Sequence, residues 1–292
     1  MESMRRMRGL VPLVVMMLTL VGCQSSRPSS SAAEGSDVVA SDDVKPINVI
    51  VVADLSDRIK SSAQVARDSA VIDAVADAFR LRAKYVGFPF CEDRIRFQGI
   101  RSVASSEDIV VDVGHMNAIG QQPVKELPKQ LQAWGDRARQ LYVNDGHFQG
   151  CDLWGYVAHD LDAVLVHGPS RNKLIVITDG YLNFAPKVAR PANTEMHVAA
   201  LRAAGARWES QFPRYALAGV GRHFEDCDLL VIEVAPKDPL RNVNEADILK
   251  RYWTSWATEL GMANADKGDY VLFENAPLSA VQERVKSFLT TP

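Results

Sequence analysis

Three polar side chains follow a continuous apolar run near the start of the chain. Asp54, Ser56 and Asp57 come directly after residues 49–53, a run rich in β-branched side chains. Such a run is typical of a strand that is buried on both faces of a parallel sheet. Ligands bind beyond the carboxyl ends of the strands in open α/β sheets, so these groups could hold a cation or recognise a partner.

A second apolar run of the same kind lies far downstream and also ends on an acid. Residues 173–180 read Lys-Leu-Ile-Val-Ile-Thr-Asp-Gly, which places Asp179 at the end of the run. If the two strands are neighbours, Asp54 and Asp179 lie at one edge of the sheet, where we expect a shared site. Each acid also has an ordinary structural interpretation, because Asp54 could cap the next helix and Asp179-Gly180 could form a turn.

Amphipathic segments alternate with the apolar runs along the rest of the chain. The spacing predicts helices over residues 62–85, 127–143, 153–167, 193–212, 245–262 and 278–289. Further strands are predicted over residues 94–98, 109–113, 229–235 and 269–274. Strands that alternate with helices indicate an α/β fold with three layers, a doubly wound and mostly parallel sheet.

The N-terminus has the layout of a secretion signal. Arg5, Arg6 and Arg8 precede an apolar stretch that is too short to span a bilayer, and Leu20-Val-Gly-Cys23 follows it. This tetrapeptide resembles the lipobox of bacterial lipoproteins. The resemblance implies a signal peptide over residues 1–22, cleavage before Cys23, and diacylglycerol on the Cys23 sulfur as a membrane anchor.

The segment after Cys23 predicts where the folded part begins. Residues 25–45 are rich in Ser, Ala, Asp and Pro and cannot form a core, so residues 23–45 are expected to act as a flexible tether. Residues 46–292 then form one α/β domain. The lipoprotein resemblance implies a location in the cell envelope, and Gln24 after the Cys implies the outer membrane, facing the periplasm, in a Gram-negative cell.

Charge and cysteine content exclude some function classes. Cleavage would leave 35 acidic and 30 basic residues and a net charge near −5, which argues against nucleic-acid binding. Cys91, Cys151 and Cys227 remain besides the acylated Cys23, so at most one disulfide can form among them. The chain contains no Cys-x-x-Cys or His-x-x-x-His motif, so a zinc site is not expected.

Three short motifs give the chain a family resemblance. They are Asp54-Leu-Ser56 after the first strand, Gly150-Cys151-Asp152-Leu153 at a loop–helix junction, and Thr178-Asp179-Gly180 after a later strand. Their order resembles that of a von Willebrand factor A-type (VWA) domain, in a layout that extends from about residue 47 to residue 289. The resemblance implies a Rossmann-like fold with a metal-ion-dependent adhesion site at the top of the sheet.

The family's metal motif matches this chain only in part. Asp54 and Ser56 match the first two ligands and Asp179 the last, whereas Arg58 replaces a Ser and Cys151 replaces a Thr. The resemblance therefore implies a degenerate site, in which Mg²⁺ or Mn²⁺ would be held by Asp54, Ser56, Asp152 and Asp179 and lined by Asp57, Arg58, Cys151 and Thr178. Alternatively, the Arg58 guanidinium takes the place of the cation among the carboxylates. Cys151 is expected to be partly accessible to solvent.

Two functions of different classes follow. The resemblance implies a lipid-anchored binding module that recognises a protein partner at this edge and is not an enzyme. The alternative is an extracytoplasmic, metal-dependent hydrolase of the phosphatase type, with Asp54 as its nucleophile. Such phosphatases use Asp-x-Asp, but this chain has Asp54-Leu-Ser56, and no P-loop or Gly-x-Ser-x-Gly motif occurs at a strand–helix turn. The motifs favour the binding module.

Overall fold

The described residues form one sheet of six strands with helices on both of its faces. The structure is a computed structural model that describes residues 44–56, 61–100, 108–143, 150–182, 194–217, 220–237 and 244–290. Within these ranges the strands are β1 (Ile47–Asp54), β2 (Arg94–Ile100), β3 (Ile109–Asp112), β4 (Arg171–Ile177), β5 (Cys227–Val234) and β6 (Val271–Phe273). Their order across the sheet is β3-β2-β1-β4-β5-β6, and every pair is parallel except β2 and β3. The mostly parallel α/β sheet predicted from the sequence is confirmed.

The order of the strands fixes where a ligand site is expected. The chain moves outward from β1 through β2 to β3 and then returns to add β4, β5 and β6 on the other side of β1. The direction of winding therefore reverses between β1 and β4, which are hydrogen-bonded neighbours. In doubly wound sheets the crevice outside the carboxyl ends of two such strands is the usual binding position. Asp54 ends β1 and Thr178 follows β4 at this position.

The central strands are apolar because both of their faces are covered. Every residue of β1 and of β5 is buried, as is every residue of β4 after Arg171. Successive side chains of a strand point to opposite faces. On one face, Leu174 and Val176 of β4 lie beside Tyr156 and Trp256. On the opposite face, the Lys173 Nζ lies 5.1 Å from the ring centre of Phe288 on α9. The three predicted layers are therefore present.

The helices of the described chain are α1 (Ser62–Val86), α2 (Val113–Ala118), α3 (Pro123–Val143), α4 (Leu153–Gly155), α5 (Leu161–Val164), α6 (Thr194–Ala203), α7 (Trp208–Gln211), α8 (Glu245–Glu259) and α9 (Leu278–Thr290). Ser61 caps α1 by accepting a hydrogen bond of 3.2 Å from the Gln64 backbone N–H, and α1 packs against α3 and α9. No helix in these ranges is long and apolar enough to cross a membrane.

Two predicted helices are less regular than their apolar spacing suggests. The segment predicted over residues 153–167 contains a turn of π-helix (Tyr156–Asp160) between α4 and α5 and ends at Val164, because Leu165 is extended. The segment predicted over residues 193–212 breaks at Gly205, whose φ is +55°, so it divides into α6 and α7. Periodicity located both segments but did not reveal these interruptions.

Charged residues among the apolar positions of α1 are not all on its solvent side. Arg82 is buried, and its Nε lies 3.0 Å from Oδ2 of Asp93. The Asp93 Oδ1 accepts a hydrogen bond of 2.9 Å from the backbone N–H of Ile47, and the Arg82 Nη2 donates to the Lys45 carbonyl at 2.7 Å. This buried pair therefore fixes the start of β1 against α1.

Candidate functional site

The ends of β1 and β4 are joined by a side-chain hydrogen bond. Thr178 donates from Oγ1 to Oδ2 of Asp54 at 2.9 Å, and Oδ1 of Asp54 accepts from the backbone N–H of Ser56 at 2.9 Å. Asp54 is 1% exposed and Thr178 is fully buried. The two residues extend the parallel register in which Ala53 lies opposite Ile177. A buried carboxylate is stable here because both of its oxygens accept hydrogen bonds.

Gly180 allows the chain to turn sharply after Thr178. Its backbone N–H donates to Oγ1 of Thr178 at 3.1 Å, and its φ is +92°. A side chain at this position would place its Cβ only 2.8 Å from a methyl carbon of Val234, so both the backbone angle and the space require glycine. Trp253 of α8 donates from Nε1 to the Gly180 carbonyl at 3.1 Å, which fixes the turn.

Asp179 lies at the surface of this turn. Its Oδ1 accepts a hydrogen bond of 3.0 Å from the backbone N–H of Tyr181, and its backbone carbonyl accepts one of 2.9 Å from Ala235 after β5. Asp179 is half-buried, unlike Asp54. Its backbone is therefore fixed by two strands, while its carboxylate is partly accessible to solvent.

The loop–helix junction at residues 150–153 gives Asp152 a structural contact and places Cys151 in the core. Asp152 is the N-cap of α4 and accepts a hydrogen bond of 2.8 Å from the Gly155 backbone N–H. The expectation that Cys151 is partly accessible is wrong, because its side chain is 1% exposed and belongs to the apolar core. Cysteine behaves as a small apolar side chain, so the core takes up Cys151 while the next residue caps the helix.

The cysteine thiols of the domain are not accessible. Cys91, Cys151 and Cys227 are all buried, and in the described chain no disulfide joins any of them to another. Burial raises the pKa of Cys91, and it raises the pKa of Cys227 to about 12. A thiol with a raised pKa has little thiolate at neutral pH, so these two residues are unreactive structural side chains.

A buried ion pair that sequence reasoning missed lies near the same edge. Glu233 is buried near the end of β5, and its Oε2 accepts a hydrogen bond from Nε of Arg67 on α1. The Nη2 of Arg67 also donates to the Ala276 carbonyl at 2.8 Å. Glu233 has a φ of +71°, which is unfavourable for a residue other than glycine, and it lies in an irregularity between β5 and β6. An acid near the end of a largely apolar strand was the available signal for a buried partner.

A second buried acid is held by a tyrosine and an arginine. The Tyr181 hydroxyl donates to Oε1 of Glu245, and the Arg202 Nη1 lies 3.5 Å from the same oxygen. Burial, followed by the hydrogen bond to Glu245, raises the pKa of Tyr181, so the hydroxyl keeps its proton. The Lys237 Nζ lies 4.8 Å from the centre of the Tyr181 ring. Sequence spacing gives no indication of these contacts, because they join residues on separate elements.

The predicted metal ligands have hydrogen-bond partners within the protein. Over the described ranges, no group of three or more His, Cys, Asp or Glu side chains could share a metal ion. Asp54, Asp152 and Asp179 accept hydrogen bonds from the protein, and none of these three or Ser56 is without a partner. Asp57 and Arg58 lie outside the described residues. The ligand set Asp54, Ser56, Asp152 and Asp179 therefore stays a prediction.

Comparisons with known proteins give similar folds but no family. No family model and no curated protein matches the sequence. A crystal structure of the pilus adhesin SpaC from Lactobacillus rhamnosus GG is 12% identical with a TM-score of 0.46, over 85% of this chain and 31% of the adhesin. BatB from Bacteroides thetaiotaomicron is 11% identical with a TM-score of 0.41, over 84% of this chain and 97% of BatB.

A third similar structure is an aerotolerance-related membrane protein from Bacteroides fragilis NCTC 9343. It is 11% identical with a TM-score of 0.39, over 83% of this chain and 98% of that protein. The chain spans only about a third of the length of the adhesin.

Proposed function

We propose that the chain is a membrane-anchored bacterial lipoprotein whose VWA-like domain binds a protein partner at the carboxyl edge of the sheet. The observation that supports this best is the arrangement of Asp54, Thr178 and Asp179. A buried hydrogen bond at the reversal between β1 and β4 supports a turn that carries a half-buried carboxylate. Binding residues are commonly loop residues that a rigid scaffold positions in this way.

The charge of this edge favours a partner with basic side chains. Asp152 and Asp179 are half-buried surface carboxylates, whereas the more deeply buried Glu233 and Glu245 are paired with arginines inside the protein. Complementary charges at an interface speed association and select the partner. We therefore expect Lys or Arg side chains on the surface that contacts this edge. Mg²⁺ or Mn²⁺ at the same residues is the competing possibility, because a bound cation would cancel the negative charge that attracts a basic partner.

The geometry around Asp54 favours binding over hydrolysis. A carboxylate nucleophile needs an oxygen that reaches the substrate, but Asp54 is 1% exposed and both of its oxygens accept hydrogen bonds. In this proposal Asp54 positions the edge and does not react. The hydrolase alternative would require Thr178 and the Ser56 backbone to release the carboxylate.

The lipid anchor is the second part of the proposal. Cys23 would carry the acyl chains, residues 23–45 would connect the anchor to the domain, and the domain would lie in the cell envelope, on the periplasmic side of the outer membrane in a Gram-negative cell. Several acyl chains would hold a protein stably on a bilayer, at about 0.8 kcal/mol per buried CH₂.

One experiment in cells tests both parts. A photo-reactive amino acid would be introduced in place of Asp152, and in a control chain in place of Glu283 on α9, each with Cys23 intact or changed to Ser. We expect a discrete cross-linked species from position 152 that is absent from position 283. We also expect Cys23→Ser to lose fatty-acid labelling and to leave an unprocessed or mislocalised precursor. Equal cross-linking from both positions would contradict the partner site, and unchanged fatty-acid labelling of Cys23→Ser would contradict the anchor.

A further inference from the structure

Large apolar side chains are exposed at the amino end of the sheet, opposite the carboxyl edge. Tyr85, Phe90, Ile119 and Val124 are each more than half exposed, and Phe90 is 71% exposed. They lie in the last turn of α1, in the turn before β2, at the end of α2 and in the first turn of α3. We call these four residues the amino-end patch. Single exposed apolar residues are ordinary, but several large ones together mark a surface that binds a partner or a membrane.

Hydrogen bonds hold the elements that carry this patch against one another. Asn117 of α2 donates from Nδ2 to the carbonyls of Phe88 and Cys91, at 2.7 and 3.2 Å, on either side of Phe90. The short helical turn Phe88–Phe90 also contacts α1 and α3, and α2 contacts the start of α3. The four side chains therefore lie on neighbouring elements at one end of the domain.

The chain enters the domain at this same end. The Lys45 carbonyl accepts a hydrogen bond of 2.7 Å from Nη2 of Arg82, near the end of α1. The backbone N–H of Ile47, the first residue of β1, donates to Oδ1 of Asp93 at 2.9 Å, and Asp93 lies between the turn Phe88–Phe90 and β2. The segment that leads from the predicted anchor is therefore joined to the domain beside the amino-end patch and not at the carboxyl edge.

The length of that segment keeps this end of the domain near the anchor. Residues 23–45 would span at most about 75 Å when fully extended, and roughly 25–30 Å on average as a flexible chain. A folded domain of the length of residues 46–292 has a radius of gyration of about 18 Å. Because the average tether is little longer than this radius, a bilayer that holds Cys23 would meet the amino end of the domain more often than any other surface.

We propose that the amino-end patch rests on the surface of the bilayer in which Cys23 anchors the chain, with Tyr85 and Phe90 at the level of the lipid headgroups. This inference rests on the lipid anchor of the proposed function. Aromatic side chains favour the membrane interface, where one part of the ring is apolar and another is in contact with water. Docking would turn the carboxyl edge away from the bilayer, toward a partner in the aqueous phase.

The charges beside the patch are compatible with a lipid surface. Lys84 and Lys125 are exposed and precede Tyr85 and follow Val124 in the chain. Long lysine side chains extend their charge toward lipid phosphates while their apolar stems cover the interface. Glu92 is exposed in the same region and offsets part of this attraction, so the apolar side chains would supply most of the binding.

The test is photo-cross-linking of the purified, acylated full chain in vesicles of phosphatidylethanolamine and phosphatidylglycerol. A photo-reactive phenylalanine analogue replaces Phe90 or, in the matched control, Ala63, an exposed residue at the start of α1 that lies about 33 Å along the helix from Tyr85. We expect at least about tenfold more lipid adduct from position 90 than from position 63.

A second substitution tests whether the patch acts as one surface. With the probe at position 90, Ile119→Asp should lower the yield of lipid adduct about tenfold, because a charge within the patch opposes its contact with lipid. Ser279→Asp adds the same charge at an exposed position on α9 and should leave the yield unchanged. Both changed side chains are exposed, so the melting temperature should be nearly the same in the two variants.

Flotation of the vesicles separates this inference from the anchor itself. If the chain is not acylated, the lipoprotein part of the proposed function fails, and the same cross-linking is then carried out on the chain coupled through Cys23 to a maleimide lipid. Adducts from position 90 in either form support the docking surface. Equal lipid adducts from positions 90 and 63, no effect of Ile119→Asp, or a cross-linked dimer of the chain in place of lipid adducts would each overturn the proposal.

Discussion

Thr178 donates a hydrogen bond of 2.9 Å from its Oγ1 to Oδ2 of Asp54, a residue 124 positions earlier in the chain. The bond joins the carboxyl ends of two parallel strands at the point where the winding of the sheet reverses. Because it is buried, water cannot replace either partner when the bond is lost. The hydrogen bond between Thr178 and Asp54 therefore holds the ends of β1 and β4 together at the carboxyl edge.

Thr178→Val should lower the free energy of unfolding by about 1–3 kcal/mol, because the change leaves one buried oxygen of Asp54 without its donor. The valine is close in size to threonine, so little of the lost stability would come from packing.

Urea unfolding measures the difference in the free energy of unfolding between Thr178→Val and the wild type. Thr258→Val is the matched control, because the Thr258 hydroxyl is exposed and donates to the Thr254 carbonyl of its own helix. The control should change stability by less than about 0.5 kcal/mol. Equal losses in the two variants would show that the bond to Asp54 contributes nothing specific.

The thiols of Cys91, Cys151 and Cys227 should react with a thiol reagent at least about a hundredfold more slowly in the folded protein than in denaturant. All three side chains are buried, and burial raises the pKa of Cys91 and raises that of Cys227 to about 12. Mass spectrometry after brief labelling near neutral pH distinguishes the three sites, in a Cys23→Ser background that removes the anchoring cysteine. Rapid labelling of Cys151 in the folded state would contradict its position in the core.

Millimolar Mg²⁺ or Mn²⁺ should leave the melting temperature of the wild type nearly unchanged. A ligand that binds only the native state stabilises it by mass action, but here Asp54 already accepts two hydrogen bonds and Asp152 caps a helix. Differential scanning calorimetry with and without each cation measures the effect, with Asp54→Ala as the control variant. A saturable rise in the wild type that Asp54→Ala abolishes would instead assign the cation to Asp54, Ser56, Asp152 and Asp179.

The sequence was sufficient to predict the mostly parallel sheet, and it predicted that Asp54 and Asp179 share one edge if their strands are neighbours, as β1 and β4 are. Short apolar runs that are rich in β-branched residues are typical of buried strands, and parallel strands share one carboxyl edge. The pairing of Arg67 with Glu233 joins residues 166 positions apart, and nothing in local spacing specifies it. Cys151 was misassigned because a motif match gives a position in the chain but not the direction of its side chain. The π turn within residues 156–160 interrupts a segment with the apolar spacing of an α-helix, and that spacing does not encode the interruption.

The central claim is that a protein partner binds the carboxyl edge through its surface carboxylates. The most direct measurement is the affinity of the partner that cross-links to position 152 for wild type, Asp179→Asn and Asp266→Asn. The Asn side chain at position 179 can still accept the hydrogen bond from the Tyr181 backbone N–H, so this variant removes the charge and keeps the turn.

Asp266 provides the control, because it is an exposed acid in the segment before β6, at the other end of the sheet. We predict that Asp179→Asn weakens binding about tenfold or more and that Asp266→Asn has no effect. Unchanged affinity in Asp179→Asn, or equal losses in both variants, would contradict the claim.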